Sequence, residues 1–291
     1  MCDAAAAHDT ARGFVSRIAL LARTDRRDGG RRWRRGKGQK WPLLLAPARS
    51  GILDTVDTSG ESVVSIVGHL VVLAMFVNVG LRMLPAERPF PWPALVFVVL
   101  IGVPSILQTW MTPVTGALAR DPHATLAQGQ WWRILTALGA QDGGLVAAVF
   151  NLVVIVLALT FGTWIWGPWL AVALYLVPSI VLNLLAVLLW QAPGGGSSFA
   201  NDGLMFSVFA LGLLVGAVDA GRGTATPPEA SRAAASTASV RICAAIGVGV
   251  AIVLVAFDDA HGVAMLLGLV LGAGAWLAFR RRTVTSRSAE G

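Results

Sequence analysis

The run GLVAAVFNLVVIVLALTFG, residues 144–162, carries no charge and a single side-chain amide, Asn151. It is too long and too continuously apolar for a barrel strand, which alternates polar and apolar residues over about ten positions. A helix satisfies its backbone groups within the segment, and about 20 apolar residues are enough to cross a bilayer as helix. Six further runs of the same character flank it. Upstream lie 62–83 (SVVSIVGHLVVLAMFVNVGLRM) and 94–111 (ALVFVVLIGVPSILQTWM). Downstream lie 169–190, 198–218, 241–257 and 261–279. Only 13% of the 291 residues are charged, against roughly 25% in soluble domains, and 55% are hydrophobic. The expectation is an all-α membrane protein, a multi-pass helical bundle. There is no internal repeat of the kind that builds transporters from duplicated halves.

Charge gathers at the two ends. Residues 1–50 hold twelve Arg and Lys against four Asp and no Glu, a local charge of +8. The stretch RRDGGRRWRRGKGQKW has the basicity of a nucleic-acid ligand. Its place before an apolar helix reads instead as a juxtamembrane segment held by anionic headgroups or kept cytoplasmic, with no nucleic-acid partner. The following apolar stretch, WPLLLAPARSG, is too short for the core of an export signal. Cys2 and Cys243 have no spacing that predicts a disulfide or a metal site.

Arginine bias orients the chain. The tail, with Arg280, Arg281 and Arg282, belongs inside, which puts 112–143 and the 191–197 turn outside and the 219–240 loop inside. Seven spans cannot place two basic ends on one side. Either segment 62–83 does not span fully, or the basic leader is translocated, or translation starts downstream of Met1. The first and last of these are favoured.

Polar groups intrude on the apolar pattern at three places. In GQWWRILTALGAQDGG (129–144), paired tryptophans beside Arg133 suit the headgroup interface. Asn151 needs a partner inside the bundle, and serves either as glue between helices or as part of a site. The third is a pair of helix starts, GGGSSFANDG (194–203) and DDAHGVAMLLGLVLGAGAW (258–276). Ser198 opens one apolar run and His261 the other. Brought together, the imidazole takes the serine proton and makes the oxygen nucleophilic. Gly194, Gly195 and Gly196 allow backbone amides close to a reacting carbonyl, and the helix beginning at Ser198 aims its free N–H groups at developing negative charge. Ala264, Gly268 and Gly272 form a small-residue stripe that permits close approach of another helix. Serine is also an ordinary helix cap and histidine an ordinary boundary residue, so this pair alone does not establish catalysis.

In their order along the chain, Trp132–Arg133, Asn151, Gly196-Ser197-Ser198, and Ala260-His261 followed by Gly268 resemble the rhomboid family of intramembrane serine proteases. The resemblance implies a six-helix rhomboid-like core over 93–279, with an additional N-terminal hydrophobic helix at 61–84. A basic region, 1–60, would precede them and a basic tail, 280–291, would follow. It further implies Ser198 as nucleophile and His261 as general base in a dyad without a third acid, so that Asp258 and Asp259 merely solvate a turn. Asn151 and Gly196 would support the oxyanion, and Trp132 and Arg133 would fix the outer loop in the interface. Substrates would be transmembrane proteins cut near the outer leaflet, and no cofactor or metal is implied.

Four positions depart from that pattern. The histidine expected four residues before Asn151 is Ala147, which removes an oxyanion donor worth roughly 10²–10³ in rate. The glycine expected after the nucleophile is Phe199, whose ring would crowd the helix contact or obstruct substrate. A further expected glycine is Ala264. Asp202, one turn past Ser198, either faces water in the pocket or holds a polar partner. These departures leave a second reading open, an inactive relative that binds transmembrane client helices. A channel or transporter has little in its favour, since the intramembrane polar residues mark no ion path. The Ala, Gly, Val and Arg richness is compatible with a GC-rich bacterial genome, in which case the membrane is the plasma membrane.

Overall fold

The computed structural model describes residues 63–108, 110–215 and 227–289, all within one compact unit, Leu43–Gly291. The basic region 1–60 lies outside the described residues, as does all of 216–226. Among the described residues the chain is all helical, and its only bridge between extended segments is the isolated pair Arg120–Gly194.

Ten α-helices follow in order: α1 Val63–Arg82, α2 Trp92–Leu107, α3 Thr112–Leu118, α4 Pro122–Gln128, α5 Arg133–Thr136, α6 Gly144–Trp166, α7 Pro168–Leu188, α8 Ser198–Val215, α9 Pro227–Ala256 and α10 Ala260–Ala289. Each of the seven apolar runs becomes a helix. Five are long and apolar enough to cross a membrane: α1, α6, α7, and the segments Ser236–Ala256 of α9 and Ala260–Arg280 of α10. A non-spanning first segment therefore gains no support from its length or composition. The other two are shorter. At 1.5 Å per residue, the 16 residues of α2 reach only about 24 Å. Leucines and valines stand exposed around the bundle, among them Leu95, Val99, Leu100 and Val146. An apolar skin of this extent suits a lipid surrounding.

Two segments differ from the sequence expectation. The expected 219–240 loop is helical from Pro227 onward. Proline fits a first helical position and the alanine-rich stretch after it favours helix, so α9 starts early. The C-terminal tail likewise continues α10 to Ala289 rather than leaving the helix at residue 280. The polar stretch 112–143 folds into α3, α4, α5 and a turn of 3₁₀ helix, Ala137–Gly139.

The packing that matters for the site is α8 against α10. A Cβ on Gly268 would stand 2.2 Å from the Gly203 carbonyl oxygen, and one on Gly272 would stand 2.5 Å from Ser207 Cα. Backbone meets backbone along this seam, as the small-residue stripe predicts. Helix α1 docks through Ser65, Gly68, Val72, Phe76 and Val79, a buried face at helical spacing. Gly68 lies against Val250 and Leu254 of α9, while Phe76 meets Phe161 of α6 and Phe209 of α8. The first helix is thus built into the core rather than appended to it.

Candidate active site

Ser198 stands at the first position of α8 and His261 at the second position of α10, at the same end of the α8–α10 seam. The serine Oγ lies 2.9 Å from His261 Nε2. On the far side of the ring, Nδ1 lies 2.6 Å from Asp259 Oδ1. A carboxylate only accepts, so Nδ1 carries the proton, and Nε2 is left to accept from the serine hydroxyl. Serine, imidazole and carboxylate therefore form one hydrogen-bonded chain with the polarity that makes an oxygen nucleophilic.

Asp259 corrects the expectation that the two aspartates only solvate a turn. Its Oδ1 also accepts the His261 backbone N–H at 2.9 Å, the geometry of an N-cap for α10. One carboxylate oxygen thus caps the helix and fixes the ring it presents. Burial pushes the Asp259 carboxyl up, but the His261 ring and backbone N–H and the Ser65 hydroxyl outweigh it and hold the group well below the usual carboxylate range. Asp258 remains in the exposed turn with a φ of 63°.

Ser198 and His261 lie between two cavities that also share Gly143, Ala147 and Asn151. The larger, about 480 Å³, is walled by apolar side chains of α1 (Ile66, Leu70) and α6 (Val146, Phe150). It opens at the outer surface of the bundle, where Leu70 and Val146 are 53% and 83% exposed. The smaller, about 300 Å³, has polar walls from Arg120, Gln141 and Asp142 and takes in Gly195, Gly196 and Phe199.

The other expected site residues have definite places. Gly196 lines the polar cavity with a φ of 141°, a conformation that suits only glycine. Its N–H donates to the Ala137 carbonyl at 2.8 Å, however. Those of Gly194 and Gly195 donate to the Arg120 carbonyl at 3.0 Å and to Asp142 Oδ2 at 2.6 Å. None of the three amides is free for a reacting carbonyl. Asn151 is both glue and lining: Nδ2 donates to Gln141 Oε1 at 2.8 Å and the residue accepts from Asn201 of α8 at 3.4 Å, while its side chain faces both cavities. Phe199 lies beside the His261 ring, centroids 5.1 Å apart, and so packs against the imidazole itself.

Trp132 is half exposed and stands away from the cavities. Arg133 ties together the stretch from α3 to α5, donating to the Gly116 and Ala119 carbonyls at 2.8 and 2.7 Å and to Gln130 Oε1 at 2.6 Å. A second arginine, which the sequence did not mark, straps the loop before the serine. Arg120 is buried and donates to Asn183 Oδ1 and to the Ala192 carbonyl at 2.9 Å, while its backbone pairs with Gly194. Its signal was the adjacent Arg120 and Asp121 in LARDPH, which is unremarkable without the contact.

Asp202 holds a polar partner rather than water. It is buried, and Oδ2 faces His69 Nε2 of α1 at 3.4 Å, while Oδ1 has no hydrogen-bond partner among the described residues. His69 Nδ1 donates to the Ser65 carbonyl at 2.7 Å, and its ring meets His261 edge-on at 4.7 Å between centroids. Ligand atoms of His69, Asp202 and His261 lie within 4.8 Å of one another, a donor set of the kind that binds transition metals. Both ring nitrogens of His261 already face Ser198 and Asp259, so the set is organised around the serine. No family model, curated protein or solved structure matches this chain, and the site rests on its own geometry.

Proposed function

We propose that the chain is a serine-type intramembrane endopeptidase of rhomboid type, with a six-helix core, α2 and α6 to α10, and α1 as the additional helix. The observation that carries this reading is the chain from Ser198 Oγ through His261 to Asp259, with Ser198 and His261 between a lipid-side cavity and a polar one. A transmembrane protein substrate reaches the serine through the apolar cleft between α1 and α6, and water reaches it through the polar cavity. Ser198 Oγ attacks the scissile carbonyl carbon as its proton passes to His261 Nε2. The C–N bond then breaks, and the same proton goes to the leaving amine. An acyl group remains on Ser198. Water, deprotonated by His261, attacks that ester and releases the acid, returning the serine its proton. Asp259 stays ionised throughout, keeping the ring in the tautomer that accepts from serine. The proposed setting is a bacterial plasma membrane, where the basic region 1–60 would associate with anionic headgroups.

Fluorophosphonate labelling of the full chain tests the reading. Wild type becomes labelled and Ser198→Ala does not; equal labelling of the two removes it. Phe199 against His261 and Ala147 in the pocket wall favour a second reading, an inactive protein that binds transmembrane client helices. In that case Ser198→Ala keeps the cellular phenotype, while changes in the α1–α6 cleft, such as Leu70→Trp, abolish it.

A further inference from the structure

A tetrahedral intermediate at Ser198 places a negative oxygen beside the serine, and it needs hydrogen-bond donors. The obvious ones are committed elsewhere. The Gly194, Gly195 and Gly196 amides donate to the Arg120 carbonyl, to Asp142 and to the Ala137 carbonyl. Asn151 Nδ2 is engaged by Gln141 at 2.8 Å, and Ala147 has nothing to donate. What remains in α8 is the helix start, where the Ser198 and Phe199 N–H groups have no acceptor within the helix.

From α1, His69 lines the larger cavity together with Ala147, Asn151, Ser198 and His261, and it shares a second small pocket with Ser198, Asn201 and Asp202. Nδ1 donates to Ser65 O, and Nε2 faces the Asp202 carboxylate, so both nitrogens face acceptors, the pattern of a ring that donates from each. The Asp202 contact, at 3.4 Å, is at the long limit of a hydrogen bond. Of the side-chain donors that line the larger cavity beside the serine, His69 Nε2–H is therefore held more weakly than Asn151 Nδ2. Asp202, buried with one oxygen unpartnered, supplies the negative charge that keeps this donor in place. Ser65, one turn before His69, bonds Asp259 at the other end of the catalytic chain, so α1 touches the site at both ends.

We infer that His69 is a catalytic residue of this site, donating Nε2–H to the oxyanion formed at Ser198. A histidine from the first helix thereby serves where Ala147 of α6 cannot. The inference rests on the reading of Ser198 as nucleophile, and it makes α1 part of the enzyme rather than an accessory span.

The test is the rate of fluorophosphonate labelling of the full chain in lipid vesicles, since the phosphonyl oxygen needs the same donors. His69→Ala is expected to slow labelling by about 10²–10³-fold, and His69→Gln, which keeps an N–H donor, to slow it less. The deciding variant is His69→Ala combined with Ala147→His, which returns an imidazole to the pocket from α6. Recovery of at least about tenfold over His69→Ala is expected, and a purely structural loss in α1 would not be repaired this way. Unchanged labelling in His69→Ala, or no recovery in either the glutamine or the double variant, overturns the inference while leaving Ser198 as nucleophile. Absence of Ser198-dependent labelling in wild type instead overturns the reading beneath it, and this inference with it.

Discussion

Asp259 shows how one side chain can join folding to chemistry. As an N-cap it is worth about 1 kcal/mol to α10, and as the partner of Nδ1 it sets the tautomer of His261. Asp259→Asn is expected to retain the cap while offering Nδ1 an amide in place of a carboxylate. Ser198 labelling should fall by 10² to 10⁴, toward the loss of about 10⁴ for the same change in the worked serine triad, with the fold intact by circular dichroism. The depressed folded pKa carries a sign as well. The carboxylate contributes stability in full above about pH 4, where it is also ionised in the unfolded chain, and loses it as pH falls toward the folded value. Thermal unfolding followed below pH 4 should show an acid limb that is weaker in Asp259→Asn. A limb of equal size in both proteins would remove Asp259 as its source. In the sequence this residue was indistinguishable from its exposed neighbour Asp258. Only the turn geometry, with the capping contact to His261, separates the two.

At the scale of elements, the site depends on how closely α8 and α10 approach. The 2.9 Å between Ser198 and His261 is set by the backbone contact of Gly203 with Gly268 and of Ser207 with Gly272. Gly268→Ala is expected to force the helices apart and abolish labelling, with a loss of several degrees in Tm. Gly274→Ala, on the same helix but facing open space, is expected to leave both unchanged. Equal tolerance of the two substitutions would mean that the seam does not position the dyad. The glycine loop before Ser198 depends in turn on Arg120. Arg120→Lys keeps the charge but not the planar fork that reaches Asn183 and Ala192, and should slow labelling nearly as much as Arg120→Ala. Full activity in the lysine variant would show that charge alone suffices. The stripe of small residues was legible because its spacing is local to one helix. The Arg120 strap was not, because its partners lie 63 to 74 residues away along the chain.

For the molecule as a whole, the apolar runs foretold the seven apolar helices, and their ends fell within a few residues except where polar sequence, alanine-rich in α9 and arginine-rich in α10, extended them. The pairing of Ser198 with His261 was legible through motif order. The place of α1 was not. Its lone histidine in an apolar run has no local signal of function, and its partner Asp202 lies 133 residues onward. A buried carboxylate facing a histidine from the first helix and a serine–histidine–aspartate chain at one end of a helical bundle together describe a site assembled from α1, α6, α8 and α10. The central claim is that Ser198 is a nucleophile activated by His261. Its most direct test is to label the full chain in lipid vesicles with a fluorophosphonate and locate the adduct by peptide mass spectrometry. The account predicts a phosphonyl group on Ser198 in wild type and its loss in His261→Ala. No adduct on Ser198, or one undiminished by His261→Ala, would contradict it.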